Sequence, residues 1–344
     1  MFMKRLFSVL LIVMILYSSF LLSGCGLIDA FSDKIPTTYD NAEKYTAGNT
    51  EFEGKVDTFS IWWFYGSVSV KTHKENTVKI EESANKEIDD TLQLHWRYFN
   101  TTDYGNVLYV RYSASGDFDY GDLKKDITVY LPENDGMDIS LTIDAAAVDV
   151  DTSGFENTLE ELSITTNSGK VSAKIDSAEE VRISGQNDEG IPEENREFFF
   201  RANETVYDLG ISSSYAKVDV AARSVRNGDV GSVYGDLIFV ADEVKDLELT
   251  NSRNKIYATV LQFNSIDIEA CYEPCELTLS KDASFVLTIK EEDRFKHKMS
   301  PDGVSVEFEG VTQSGARYTV GTGEKTIKVA TDSELRILPL ATSE

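Results

Sequence analysis

Leu141-Thr142-Ile143, Val148-Asp149-Val150, Leu162-Ser163-Ile164, Val171-Ser172-Ala173 and Val181-Arg182-Ile183 repeat one theme, two apolar residues flanking a polar one. The theme resumes in Val218-Asp219-Val220, Leu237-Ile238-Phe239, Leu247-Glu248-Leu249, Ile256-Tyr257-Ala258, Ile266-Asp267-Ile268 and Leu277-Thr278-Leu279. Alternation of this kind marks short strands with one buried face. The steps from Leu141 to Leu162, from Leu162 to Val181 and from Leu247 to Ile266 are nearly equal. A recurrence of about 20 residues predicts an all-β, parallel β-helix-like solenoid in which the inward Val, Leu and Ile of one turn stack on those of the next. An antiparallel sandwich also spaces its turns by about 8 to 12 residues. The solenoid is preferred because the apolar tripeptides are very short, the turns keep Asn167-Ser168-Gly169 and Asn251-Ser252, and hairpin dipeptides are scarce.

Strand-rich segments flank the repeats. Before them come Phe59-Ser60-Ile61-Trp62-Trp63, Gly66-Ser67-Val68-Ser69-Val70-Lys71, Thr77-Val78-Lys79-Ile80-Glu81-Glu82, Leu92-Gln93-Leu94-His95-Trp96, Val107-Leu108-Tyr109-Val110 and Ile127-Thr128-Val129-Tyr130-Leu131-Pro132. After them come Val304-Ser305-Val306, Arg317-Tyr318-Thr319-Val320, Thr326-Ile327-Lys328-Val329 and Leu335-Arg336-Ile337. A solenoid needs covered ends, and these segments are placed to cap it. The expected organisation is one elongated domain over 52–338, with N-terminal strands at 52–132, repeats at 133–280 and C-terminal strands at 281–338, then a tail at 339–344. Gly185 to Asn203, polar and acidic, reads as an insertion loop on one turn.

The first residues carry a different message. Lys4 and Arg5 precede an apolar run from Leu6 to Leu22, which closes on Leu22-Ser23-Gly24-Cys25. This is the pattern of a lipoprotein signal peptide over 1–24: cations stay on the cytoplasmic side, the apolar run enters the bilayer, and small residues admit a peptidase before a cysteine that takes the lipid. A transmembrane anchor needs a similar length of apolar chain, about 17 to 25 residues, but does not call for this ending. Cys25 is therefore the expected lipidation site. The chain is expected on the extracytoplasmic face of a membrane, anchored by acyl chains such as palmitate, with residues 25–51 as a tether.

The full chain carries 33 Lys and Arg against 59 Asp and Glu, a formal charge of −26. Loss of residues 1–24 removes two cations and no acids. So acidic a body is repelled by phosphate backbones, which argues against nucleic acid as a partner. Beyond Cys25 there are two cysteines, Cys271 and Cys275, separated by Tyr272-Glu273-Pro274. They can form a disulfide if this short loop folds back tightly. Zinc is disfavoured, since His73, His95 and His297 have no ligand neighbours at metal spacing.

The order and spacing of these segments resemble those of the putative-adhesin domain of unknown function found in bacterial lipoproteins and related to head domains of auto-transporter adhesins. The residues that carry the resemblance are Ile61-Trp62-Trp63 with Gly66-Ser67-Val68-Ser69-Val70 and Val78-Lys79-Ile80-Glu81-Glu82. Lys125-Asp126-Ile127-Thr128-Val129-Tyr130-Leu131-Pro132 follows before the repeats, and Tyr318-Thr319-Val320-Gly321-Thr322-Gly323 with Ile327-Lys328-Val329 closes the unit. The resemblance implies a parallel β-helix-like body with an adhesive or scaffolding role; no catalytic residues carry over from it. The acidic insertion and the paired cysteines depart from it.

Catalysis would make its own demands on the sequence. A β-helix carbohydrate-active enzyme, of the lyase or glycosidase type, needs carboxylates gathered on one lateral face. Asp144, Asp149 and Asp151 lie close in sequence, as do Asp117, Asp119 and Asp122, the latter set in a weak likeness of a calcium loop that lacks its distal Glu. No nucleophile elbow, zinc-protease motif or phosphate loop is present. Trp62-Trp63-Phe64-Tyr65 either caps the first turn or, facing outward, binds sugar rings or a partner. The reading is a non-catalytic, cofactor-free envelope protein, an adhesin or scaffold for a protein or glycan, with the carbohydrate-active enzyme as the alternative.

Overall fold

The computed structural model describes residues 34–36, 38–133, 138–143, 146–155, 158–166, 169–185, 196–270, 272–290 and 303–340. The chain divides into two units. The smaller holds Met1–Thr38 and Gly116–Asp122, where Lys34–Pro36 pairs antiparallel with Asp117–Asp119. The larger holds Tyr39–Ser115 and Leu123–Glu344. Among the described residues the regular elements are strands, apart from 3-10 conformation at Ala42–Lys44 and at Gly303.

In the larger unit the chain alternates between two stretches of parallel sheet. Along one, Thr58–Trp63 pairs with Asp138–Ile143, then come Leu159–Thr166 and Ala178–Gly185. Along the other, Gly66–His73 pairs with Ala146–Thr152 and that with Val171–Ile175. From residue 197 single long strands serve both. The first half of Glu197–Ser213 extends the second stretch and its second half the first. Lys217–Ser232, Leu237–Asn251 and Ile256–Ala270 follow the same course. Val218, Leu237, Ile256 and Cys275 are successive partners, and the offset from each to the next is identical. Every described pairing between residues 138 and 279 is parallel, contrary to what a sandwich of hairpins requires.

The repeated apolar residues face inward: Val218, Val220, Leu237, Phe239, Leu247, Leu249, Ile256, Ile266 and Ile268 are all buried, and the residues between them point out. Each such side chain contributes about 1.5–3 kcal/mol by leaving water. A one-residue slip would expose the whole set, so the pattern fixes the register.

Four details differ from the sequence reading. Leu141 stands opposite Ile164, not Leu162, so the offset here is longer than the one that holds constant from Val218 to Cys275. The insertion is shorter than 185–203, because Glu197-Phe198-Phe199-Phe200-Arg201-Ala202 alternates and buries Phe198, Phe200 and Ala202 as strand. Pairing begins before residue 52: Thr46–Ala47 lies against His95 and Trp96, and Thr50–Glu53 against Thr77–Ile80, where Phe52 stacks on Trp96 at 5.4 Å. At the other end Pro339 still belongs to the strand Leu335–Pro339.

Antiparallel strands close both ends. Thr77–Ala84 pairs with Lys125–Pro132 and His95–Thr101 with Gly105–Arg111 at the start; Arg317–Val320 covers Phe285–Ile289 at the finish. Only part of the C-terminal segment caps. Lys325–Thr331 is inserted between Ile256–Ala270 and Phe285–Ile289, and Leu335–Pro339 between Cys275–Leu279 and Val304–Val306.

Near the N-terminal cap sits a buried cation that the sequence did not announce. Lys125, fully buried, donates from Nζ to Glu82 Oε1 at 2.7 Å, to the Leu92 carbonyl at 2.6 Å and to the Tyr112 carbonyl. Its ammonium lies over the rings of Tyr112 at 4.1 Å and Trp63 at 5.0 Å. Burial pulls its pKa down to about 8 against the opposing pull of Glu82. Trp63 and Phe64 are buried edge-on to Tyr112, while Trp62 and Tyr65 are half-buried, so the aromatic run is mainly a cap.

Candidate binding surface

Where the chain turns from the end of one long strand into the next, a short polar side chain points into the stack. These are Ser213, Ser232 and Asn251, all buried and equally spaced, one per turn. Ser213 Oγ accepts the Ala216 N–H at 2.7 Å, and Ser232 Oγ accepts the Gly235 N–H at 3.0 Å. The ladder also ties each corner to the one before it. Ser232 Oγ donates to the Ala216 carbonyl at 3.0 Å, and Asn251 Nδ2 donates to the Gly235 carbonyl at 2.8 Å. Asn251 Oδ1 in turn accepts the N–H groups of Arg253 and Asn254. Buried polar atoms need such partners, and here satisfying them forces neighbouring corners into one geometry.

The corners approach so closely that a Cβ on Gly235 would collide with the Ala216 carbonyl. The consequence outside is a column. The residue two beyond each ladder position is Tyr215, Tyr234, Arg253 and then Tyr272. Tyr215 and Tyr234 stack with centroids 4.5 Å apart and planes 5° apart. The Arg253 guanidinium lies over Tyr234 at 5.3 Å and over Tyr272 at 5.9 Å, and Arg196 lies over Tyr215 at 5.8 Å. Tyr215 is half-buried, whereas Tyr234 is 40% exposed and Tyr272 66%.

The fourth corner is built differently, since Ala270 replaces the polar ladder residue. There Asp332 Oδ1 accepts the Tyr272 N–H at 2.5 Å, and Tyr272 sits in the left-handed region at φ 69°. A tyrosine in that region is uncommon and costs energy that its surroundings must supply.

Two cations, Arg253 of the column and Lys255 beside it, are exposed. Arg201, Arg223 and Arg336 on nearby turns pair with Asp219, Glu204 and Glu276. Among the described residues, the side chains of Arg253 and Lys255 make no ion pair, although the chain carries 59 acids. Two carboxylates accept backbone N–H groups here, Asp236 Oδ1 from Lys255 at 3.3 Å and Asp332 Oδ1 from Tyr272 at 2.5 Å.

Two other lateral features stand out. Asp229, Glu248 and Asp267 face outward on successive rungs, about 4.8 Å apart. Desolvation, followed by the charges of Asp229, Asp267 and Glu269, raises the Glu248 pKa against the pull of Lys290; desolvation also raises that of Asp229 against the pull of Arg182. Lys290 holds Asp267 at 2.6 Å. On the other sheet Ile238, Val240 and Tyr257 are neighbours across adjacent strands, with Val240 and Tyr257 exposed.

Among the described residues, the carboxylates singled out in sequence do not assemble a site. Asp144 lies outside the described residues. Asp149 stands between Ser69 and Ser172, and Asp151 binds the Ser153 hydroxyl at 2.6 Å. Asp119 caps its own turn by accepting the Gly121 N–H. Among the described residues no three of His, Cys, Asp and Glu come together in a way that would hold a metal ion. Cys25 and Cys271 lie outside the described residues; Cys275 is wholly buried, and burial pushes its thiol pKa up to about 12.

No family model matches the chain, and no curated protein matches it. Solved structures that are similar include the following two. One is a "putative cell adhesion protein" from Clostridium sporogenes, 12% identical, with a TM-score of 0.22 over 86% of this chain and 98% of that one. The other is a "putative adhesin" from Bacteroides fragilis, 10% identical, with a TM-score of 0.32 over 85% of this chain and 96% of that one.

Proposed function

We propose that this chain is a non-catalytic envelope module, an adhesin or scaffold built on a parallel β-helix, exported by residues 1–24 and held outside the membrane by lipid on Cys25. It binds a glycan or a protein of the envelope or of a neighbouring cell through its lateral surface. The observation that carries this reading is the column of Tyr215, Tyr234, Arg253 and Tyr272, a preorganised row of aromatic and cationic groups whose last three members are exposed with no structural task that requires it. The regular parallel pairing supports the β-helix, and the Leu-Ser-Gly-Cys ending supports the anchor.

Fractionation of cells tests the anchor: the native chain is expected in the membrane fraction and Cys25→Ser unprocessed or in the medium. Membrane retention of that variant at mature size would refute lipidation. Pulldown from envelope extracts and from polysaccharide-coated beads tests binding; a chain that captures neither is not a binding module.

One observation favours the carbohydrate-active alternative. Asp229, Glu248 and Asp267 place three carboxylates in line on one face, with Glu248 inclined to hold a proton as a general acid must. Release of oligosaccharides by the native chain but not by Glu248→Gln would establish it.

A further inference from the structure

We propose that the column of Tyr215, Tyr234, Arg253 and Tyr272, together with Lys255, is the binding site for an acidic polysaccharide, one bearing carboxylates on its sugars, laid along the direction in which the turns stack. This rests on the reading of the chain as a binding module and names the ligand.

The charge argument comes first. The chain carries a formal charge of −26, yet Arg253 and Lys255 stand on one exposed corner and, among the described residues, neither side chain has a carboxylate partner. Arg253 is also held in place, its guanidinium near two tyrosine rings and its backbone N–H on Asn251 Oδ1 at 3.2 Å. The side chain is nevertheless exposed, and a guanidinium is suited to grip a carboxylate with two parallel hydrogen bonds. At physiological salt the distant acids are screened over about 8 Å, whereas a bound carboxylate would touch these two cations.

The ring argument selects a glycan over a peptide. A pyranose offers an apolar C–H face and a rim of hydroxyls, the complement of tyrosine edges and hydroxyls; among the described residues the hydroxyls of Tyr215, Tyr234 and Tyr272 have no protein partner. A peptide recognised by strand addition would need an open sheet edge. The long strands that lead into these corners are paired on both sides and leave no such edge.

The experiment is equilibrium binding of the full chain, in detergent micelles at about 0.15 M salt, to immobilised polygalacturonate, its methyl ester, uncharged dextran and polyglutamate. Polygalacturonate should bind and dextran should not; esterification should weaken binding at least about tenfold, as should Arg253→Ala with Lys255→Ala. Tyr272→Ala should weaken it severalfold, Arg253→Lys should retain part of the affinity, and Arg223→Ala, on an exposed arginine paired with Glu204, should change nothing. All substituted positions are at the surface, and matching melting curves will show that each variant folds. Equal affinity for polyglutamate, or unchanged binding by both the double variant and Tyr272→Ala, overturns the site. A chain that ignores polygalacturonate but captures an envelope protein overturns the ligand and leaves the binding module standing; capture of nothing overturns both.

Discussion

Tyr215 and Tyr234, one turn apart in the chain, lie face to face at 4.5 Å because each stands two residues beyond a buried serine that fixes its corner. Their contact reports the register of the stack. Aromatic pairs contribute about 0.5–1.5 kcal/mol beyond area burial. Tyr215→Ala and Tyr234→Ala are each expected to lower unfolding stability by about 1 kcal/mol. The double variant should fall short of additivity, since either change alone removes the stack. Urea unfolding of the four proteins measures the coupling; strict additivity would show that the rings do not support one another.

How much of this was readable beforehand follows from which forces act locally. The inward Val, Leu and Ile repeat because burial selects them, and so the all-β class and the turn length were visible in Val218-Asp219-Val220 and its successors. The column was equally periodic but lay in the turns, where Tyr215, Tyr234, Arg253 and Tyr272 share a spacing and no residue type. Extending the turn-by-turn comparison past the strands would have found it. Lys125 could not be found that way, since its partners Glu82, Leu92 and Tyr112 are scattered through the segments before it. The place of Lys325–Thr331 was hidden too: nothing in its alternation says that it enters between two earlier strands.

Glu248 gives a pH dependence. Its folded pKa is raised, so between the ordinary carboxylate range and that raised value the native chain holds more protons than the unfolded one. Stability must then fall as pH rises through that window. Glu248→Gln abolishes this contribution. The variant should be more stable than the native chain at neutral pH, and the advantage should vanish near about pH 4, where both states are protonated. Thermal melts across this range check it; a variant less stable at neutral pH would mean that Glu248 makes a favourable contact as the anion.

Lys125 acts in the opposite window. Its pKa falls to about 8 from its ordinary 10.5, so between those values the unfolded chain binds the extra proton and stability rises with pH. Lys125→Met should remove that rise. It should also cost about 3–5 kcal/mol at neutral pH, because Glu82 is left buried without its counter-charge. Adding Glu82→Leu should recover part of the loss, the remainder reflecting the Leu94 N–H that Glu82 accepts at 3.0 Å. Urea midpoints for the two variants separate these contributions.

The C-terminal strands make the strongest mechanical claim. Lys325–Thr331 contacts Ile256–Ala270 on one side and Phe285–Ile289 on the other, and Leu335–Pro339 does the same between Cys275–Leu279 and Val304–Val306. A cap on the outside could be removed with local damage. A rung in the middle cannot, because four other strands lose their partners and Ile327, Val329, Leu335 and Ile337 leave the core. A chain ending at Gly323 is therefore expected to lose cooperative unfolding over its C-terminal turns and to become sensitive to protease from about residue 256 onward. A synthetic peptide of residues 324–344, added in trans, should restore both properties by filling the vacant rung. Retention of the native melting transition by the truncated chain, without peptide, would show that these strands lie outside the stack.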